Sequence, residues 1–313
     1  MEIYTESVET QNIFQMTRFP HDQFAKDYLK ELLTPLGVVE TSRSVAAEVR
    51  EIDVWFVPYS SEPTEDTERL GLLGRLAAIS SIFEPFRNPA TPSQIRSCMA
   101  KLYYTHAELE RQANRDGTRV SEGDLPWLWI LTPTASVSIL NGFRATGDER
   151  WAPGVYFQGE HHKTAIIVIH QLPRTPDTLW MRILGKGSVQ QQAIRELNAL
   201  PVDHPSRSEA LLLLANLRTT LQVSQNVNKE DQELIMELSP VLVQQLETAT
   251  QTGIQTGNRT TIENMMRLRY GVLDEQLSAI IPVILELPVE DFSRLLLQLS
   301  NLSREDLLGQ FGR

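Results

Sequence analysis

The spacing of apolar residues changes twice in the first third of the chain. Phe24, Tyr28, Leu29, Leu32 and Leu33 recur at helical spacing, with Lys26, Asp27, Lys30 and Glu31 between them, and Pro35 and Gly37 follow as a stop. Residues 38–45 are then β-branched and alternating. Residues 51–57 form a second strand closed by Pro58, and the two read as a hairpin. Residues 60–68 are polar and acidic and read as a loop. Residues 70–77 predict a short helix and residues 79–84 a third strand. After the turn cluster 88–92, Thr91 fits an N-cap with Pro92 in the first turn of a helix. That helix carries Ile95, Met99, Leu102, Tyr103, His106 and Leu109 on one face.

The near-continuous apolar run 127–131 reads as a central strand covered on both faces. A short helix is expected at 134–143, strands at 154–157 and 163–170, and a further strand at 179–184. Strands interleaved with helices define an α/β domain over residues 1–187. From residue 188 the periodicity is helical throughout, at 189–200, 208–223 and 230–250, with Pro240 placed to bend or break the third helix. Gly253 and Gly257 each weaken a helix by about 1 kcal/mol, which makes 248–261 the expected linker. Residues 261–270 are helical again and Gly271 is a good stop. Leu277, Ile280, Ile281, Ile284 and Leu285 form an amphipathic stripe, and short helices close the chain at 291–299 and 304–311. The partition expected is 1–187, a helical extension 188–250, and a linker with a small helical module 251–313.

Composition narrows the function classes. The 313 residues carry 29 Lys and Arg against 40 Asp and Glu, a net charge of -11, which argues against a generally basic nucleic-acid binder. The acidic surplus is uneven: residues 229–313 alone carry a net -6 and residues 1–228 a net -5. The helical tail therefore suits a protein partner or self-association better than nucleic acid. The single Cys98 excludes an internal disulfide and reads as a buried structural thiol. Residues 1–17 show no signal-peptide pattern, and no window approaches the ~20 apolar residues of a membrane span. A cytoplasmic protein without membrane contact is expected.

Asp53 is the most informative residue, because it sits between Ile52 and Val54 in an apolar strand, where an unpaired carboxylate costs several kcal/mol to bury. Glu84 ends the third strand. Two carboxylates at the ends of adjacent strands can share Mg²⁺, which takes oxygen ligands, commonly one or two carboxylates with waters and substrate phosphates. The structural alternative pairs Asp53 with Arg43 or Arg50, and Glu84 with Arg87.

An acidic helix, a strand Asp and a strand Glu follow the order of the PD-(D/E)XK nucleases. The segments 24–29, 52–56, 72–75, 83–89 (Phe-Glu-Pro-Phe-Arg-Asn-Pro), 128–136 and 169–175 resemble a bacterial, mostly cyanobacterial, family related to the recombination-promoting nuclease and transposase group. The resemblance covers nearly the whole chain. It implies an α/β fold with a PD-(D/E)XK restriction-endonuclease-like core and an all-helical C-terminal extension. It also implies a Mg²⁺-dependent DNA endonuclease linked to mobile elements or recombination, with Asp53 and Glu84 as catalytic and metal-binding residues. The motif lysine falls on Phe86, a departure from the pattern. Arg87, Arg96 or Lys101 would have to supply the missing positive charge. The competing reading is a catalytically degenerate scaffold acting through protein contacts.

Four rival features read as structural. Glu160-His161-His162 between two strands is a turn, since adjacent strand histidines face opposite ways. His106 lies on an apolar helix face. Leu184-Gly185-Lys186-Gly187-Ser188 lacks the phosphate-loop spacing and reads as a tight turn with Ser188 as N-cap. Trp127, Trp129, Tyr103 and Tyr104 read as core rather than as base-stacking platforms.

Overall fold

The computed structural model describes residues 20–45, 50–60, 62–224, 227–299 and 302–311. The chain divides into two compact units, Met1–Ser239 and Pro240–Arg313. The described residues of the first unit form an α/β domain around a seven-stranded mixed sheet.

Helix α1 (Pro20–Leu33) buries Phe24, Tyr28, Leu29, Leu32 and Leu33, the predicted stripe. It leads into the hairpin β1 (Gly37–Val45) and β2 (Arg50–Pro58). Two short helices follow, α2 (Glu65–Arg69) and α3 (Leu72–Leu76), then β3 (Ser81–Pro85). Helix α4 (Pro92–Arg115) starts on Thr91, whose hydroxyl accepts from the Gln94 backbone N–H while the Gln94 side chain returns to the Thr91 N–H. Next come β4 (Trp127–Thr132), α5 (Val137–Gly142), β5 (Thr146–Gly147), β6 (Val155–Phe157) and β7 (Thr164–Val168).

The sheet order is β1-β2-β3-β4-β7-β6-β5. The centre, β3-β4-β7, is parallel, and both flanks are antiparallel. Parallel strands need cover on both faces, and β4 and β7 are buried almost throughout. One core joins the sheet to α4 and α5 through Ile82, Leu128, Ile130 and Ile166 against Ile95, Cys98, Leu102 and Leu140. Trp129 is buried and donates its indole N–H to Ser81 Oγ.

The unit is completed by α6 (Leu179–Arg182), α7 (Gly187–Ala199), α8 (Arg207–Val223) and the start of α9 (Lys229–Tyr270). In the second unit α9 is followed by α10 (Glu275–Leu285), α11 (Val289–Gln298) and α12 (Arg304–Phe311). Ile262, Met266, Ile280, Ile281, Ile284, Phe292, Leu295 and Leu307 form its separate core. Gly271, with φ +84°, stops α9 by donating its N–H to the Arg267 carbonyl.

Four expectations are corrected. The expected loop 60–68 contains α2, which Thr64 and Thr67 cap reciprocally. The expected strand 179–184 is helix α6: short apolar runs do not distinguish strand from buried helix, and Thr175 with Pro176 sets up a helical entry. Ser188 lies inside α7, with Lys186 at the N-cap position. The expected linker 248–261 lies within α9, and the unit boundary falls at Pro240. Two glycines weaken a helix without forbidding it once neighbouring turns propagate.

Candidate active site

The β2–β3 ladder ends at the pair Val54–Phe83. One step further along each strand stand Asp53 and Glu84. Across the hairpin, the β1–β2 pairing is interrupted at Ser42, the residue facing Asp53, which has φ +55°. An interruption of this kind re-aims side chains at the end of a strand. Asp53 and Glu84 line one cavity of 680 Å³ together with Cys98 and Lys101 of α4 and with His21 and Asp22 of α1. Gln94, Cys98 and Lys101 all reach this cavity because they follow at i, i+4 and i+7 on one helix face.

Each carboxylate has its own lysine. The Lys101 ammonium donates to both oxygens of Glu84, at 2.8 and 2.7 Å. Lys26 Nζ lies 3.0 Å from Asp53 Oδ1 and 3.0 Å from Asp22 Oδ2. Asp53 is close enough for its charge to act on Glu84. Glu84 is only 2% exposed, and its carboxyl is pushed up to about 7, first by burial and then by the charge of Asp53, against the pull of Lys101. Glu84 therefore takes up a proton near neutrality. Burial pulls Lys26 down, but Asp53 and Asp22 outweigh it and hold the ammonium above its ordinary range. Cys98 donates its thiol to Glu84 Oε2 at 3.6 Å, and burial followed by the Glu84 charge pushes that thiol far up, so it stays protonated.

Arg87 points elsewhere. Its guanidinium donates to the Gly185 carbonyl at 2.9 Å, to Gln190 Oε1 at 2.9 Å and to Asp231 at 3.5 Å. Asp231 is also 2.7 Å from His21 Nε2. Burial lowers His21, with the Asp231 hydrogen bond opposing it. Arg87 and His21 thus form a second polar cluster on the cavity wall, tied to α7 and α9 rather than to the carboxylates.

Of the four site residues expected from sequence, Asp53, Glu84 and Lys101 come together and Arg87 stands apart on the same wall. The pairing of Glu84 with Arg87 is corrected to Lys101, and that of Asp53 with Arg43 to Lys26. Arg43 instead lies over the Trp55 ring at 4.6 Å and near Glu40, while the Arg50 side chain is outside the described residues. Arg96 is exposed and does not line the cavity. Sequence reading missed Lys26, His21 and Asp231; only the i, i+4 spacing of Asp22 and Lys26 was visible there.

Among the rival motifs one expectation is corrected: Tyr103 is 39% exposed rather than core. Glu160-His161-His162 forms a turn of 3-10 helix between β6 and β7. His106 Nε2 is 2.9 Å from the Pro126 carbonyl. Trp127 and Trp129 stack at 5.3 Å.

Among the described residues, no group of three or more His, Cys, Asp and Glu side chains forms a ready metal cage. Asp53 and Glu84 offer carboxylate oxygens, the donor type a hard cation such as Mg²⁺ takes. Among the described residues no helix is long and apolar enough to cross a membrane. Comparison with protein-family models, with curated proteins and with solved structures gives no match.

Proposed function

We propose that the chain is a Mg²⁺-dependent DNA endonuclease of PD-(D/E)XK type in which Lys101 of α4 replaces the motif lysine. The observation that carries this reading is the Lys101 ammonium on Glu84, in a cavity that also holds Asp53. The order of a leading helix, a strand Asp and a strand Glu agrees with it.

The net reaction is phosphodiester hydrolysis: water oxygen bonds to phosphorus, one P–O ester bond breaks, and a phosphate monoester and a hydroxyl end result. Asp53 and Glu84 would hold Mg²⁺, which when bound supplies Lewis-acid charge at the phosphate. Lys101 supplies the positive charge that Phe86 cannot, facing the charge that develops on the phosphate oxygens. Lys26 holds Asp53 in place from α1. Burial of Glu84 makes ion binding compete with a proton, so metal affinity rises with pH through neutrality.

The test is cleavage of a mixed single- and double-stranded DNA substrate with and without Mg²⁺, by the wild type and by Asp53→Asn. The reading expects metal-dependent cleavage that the substitution abolishes. Cleavage surviving in the variant would move the site elsewhere.

A second reading has its own support. Lys26 and Lys101 already pair the two carboxylates, and Phe86 occupies the motif lysine position, so the cluster is self-sufficient as a buried ion network. In that case the chain is a nuclease-fold scaffold acting through the second unit, where Leu268 and Val272 are 88% and 85% exposed. Absence of cleavage with every divalent metal, together with concentration-dependent mass that Leu268→Glu abolishes, would select it.

A further inference from the structure

The cavity that holds Asp53 and Glu84 also takes the first turns of α1, whose His21, Phe24 and Ala25 border it at i, i+3 and i+4. His21 Nε2 lies 2.7 Å from Asp231 Oδ1. Asp231 is 6% exposed, and its own N–H donates to Asn228 Oδ1 at the start of α9, which fixes the residue from behind. Burial raises Asp231, but His21 and Arg87 outweigh it and hold the carboxyl below its ordinary range, so it is ionised at neutral pH. An ionised carboxylate only accepts, so the neutral imidazole carries its proton on Nε2 and its lone pair on Nδ1. Nδ1 makes no hydrogen bond among the described residues and, unlike His170 Nε2, is not sealed from solvent.

The charges around the ring keep it a base. Asp231 of α9 faces it, with Arg87 on the same carboxylate oxygen at 3.5 Å and Lys186 ahead of α7. Lys186 is itself paired with Glu230 at 2.8 Å. Burial lowers His21, the Asp231 hydrogen bond opposes it, and the charge of Arg87 adds to the lowering. The ring is therefore unprotonated near neutrality, beside a carboxylate that stabilises the cation formed when it takes a proton. The next residue on α1, Asp22, shares Lys26 with Asp53 at 3.0 Å each, so the same turn is tied to the carboxylate pair. The other groups on this wall are committed. Lys101 donates to both oxygens of Glu84, Lys26 is held as an ammonium by two aspartates, and Cys98 keeps its proton.

We infer that His21 is the general base of the proposed hydrolysis and that Asp231 is its positioning residue. The inference rests on the nuclease reading of this cavity. Nδ1 takes one proton from the attacking water as the water oxygen bonds to phosphorus. One P–O ester bond breaks, and the leaving oxygen takes a proton from solvent. The imidazolium then releases its proton to solvent, which restores the base.

Two measurements on the full chain test this. The first needs no metal. Nitrogen NMR of labelled histidine is expected to show His21 as the Nε2–H tautomer, titrating below its ordinary value of 6.5. Asp231→Asn is expected to move that titration further down, because the charge that favours the imidazolium is gone. A His21 protonated at pH 7, or carrying its neutral-state proton on Nδ1, would overturn the inference. The second is the pH profile of DNA cleavage at saturating Mg²⁺. Folded His21→Gln is expected to lose about a hundredfold or more in kcat, and the acidic limb with it. Asp231→Asn is expected to shift the limb to lower pH and reduce the plateau. Added imidazole is expected to restore cleavage to His21→Ala. Wild-type cleavage that Asp53→Asn abolishes, with rate and limb unchanged in His21→Gln, would overturn this inference and spare the nuclease reading. A wild type that cleaves no DNA with any divalent metal would overturn both.

Discussion

Lys101 and Glu84, seventeen residues apart on different elements, meet with the ammonium on both carboxylate oxygens at 2.8 and 2.7 Å. The contact joins the end of β3 to the second turn of cavity-facing residues on α4. Under the proposed function, Lys101 supplies the cation that Phe86 does not. Lys101→Met removes that cation and leaves Glu84 with burial and Asp53, both of which favour its protonated form. We expect the variant to stay folded with Glu84 neutral and to lose Mg²⁺-dependent cleavage by at least about a hundredfold. Cleavage assays on the folded variant, checked by circular dichroism, test this.

The raised Glu84 carboxyl makes stability depend on pH in a defined direction. Its value is about 7 in the folded chain against 4.5 for the ordinary group. Between these values the folded chain holds a proton that the unfolded chain has released, so this contribution falls as pH rises from 4.5 to 7 and is lost above that. In the presence of chelator, the wild-type melting temperature is expected to drop between those limits more than that of Glu84→Gln. Equal drops would show that Glu84 is not the titrating group. Mg²⁺ added on the alkaline side is expected to restore part of the loss in the wild type alone.

Lys26 bridges Asp22 and Asp53 at 3.0 Å each and is 9% exposed. Lys26→Met keeps the apolar stem and deletes the charge. A loss of about 1–3 kcal/mol is expected from the ion-paired hydrogen bonds, measured by urea denaturation. Asp53→Asn in the same background should recover part of it, since the less exposed of the two carboxylates left without the lysine is then neutral.

The α4 N-terminus carries the cavity-facing residues, so its cap matters for the site. Thr91→Ala removes the hydroxyl that accepts from the Gln94 N–H and is expected to cost about 1 kcal/mol. At Gly74 a Cβ would lie 1.9 Å from the Thr67 carbonyl oxygen, so Gly74→Ala must displace α2 from α3. It is expected to lower the melting temperature more than Thr91→Ala does.

Much of this was legible in the chain itself. The helical stripe ending at Leu33, the alternating hairpin, the Thr91-Pro92 start of α4 and the apolar run of β4 each follow from local periodicity or capping chemistry. Asp53 and Glu84 stood out because an acid in an apolar strand needs a partner. Those partners were not legible, because Lys26 and Lys101 reach them through space, and Arg43 and Arg87 were nearer in sequence. Residues 179–184 were misread for a related reason: a short, fully buried apolar run has no exposed face to reveal its period. In α9 the two glycines signalled a break locally, but the helix continues through both of them.

The most direct measurement is Mg²⁺-dependent cleavage of DNA by the wild type beside Asp53→Asn, Glu84→Gln and Lys101→Met, all verified as folded. The account predicts cleavage by the wild type with Mg²⁺, none with chelator, and none by any of the three variants. Cleavage that persists in the variants, or a wild type inactive on single- and double-stranded DNA with Mg²⁺ and Mn²⁺ alike, would contradict it.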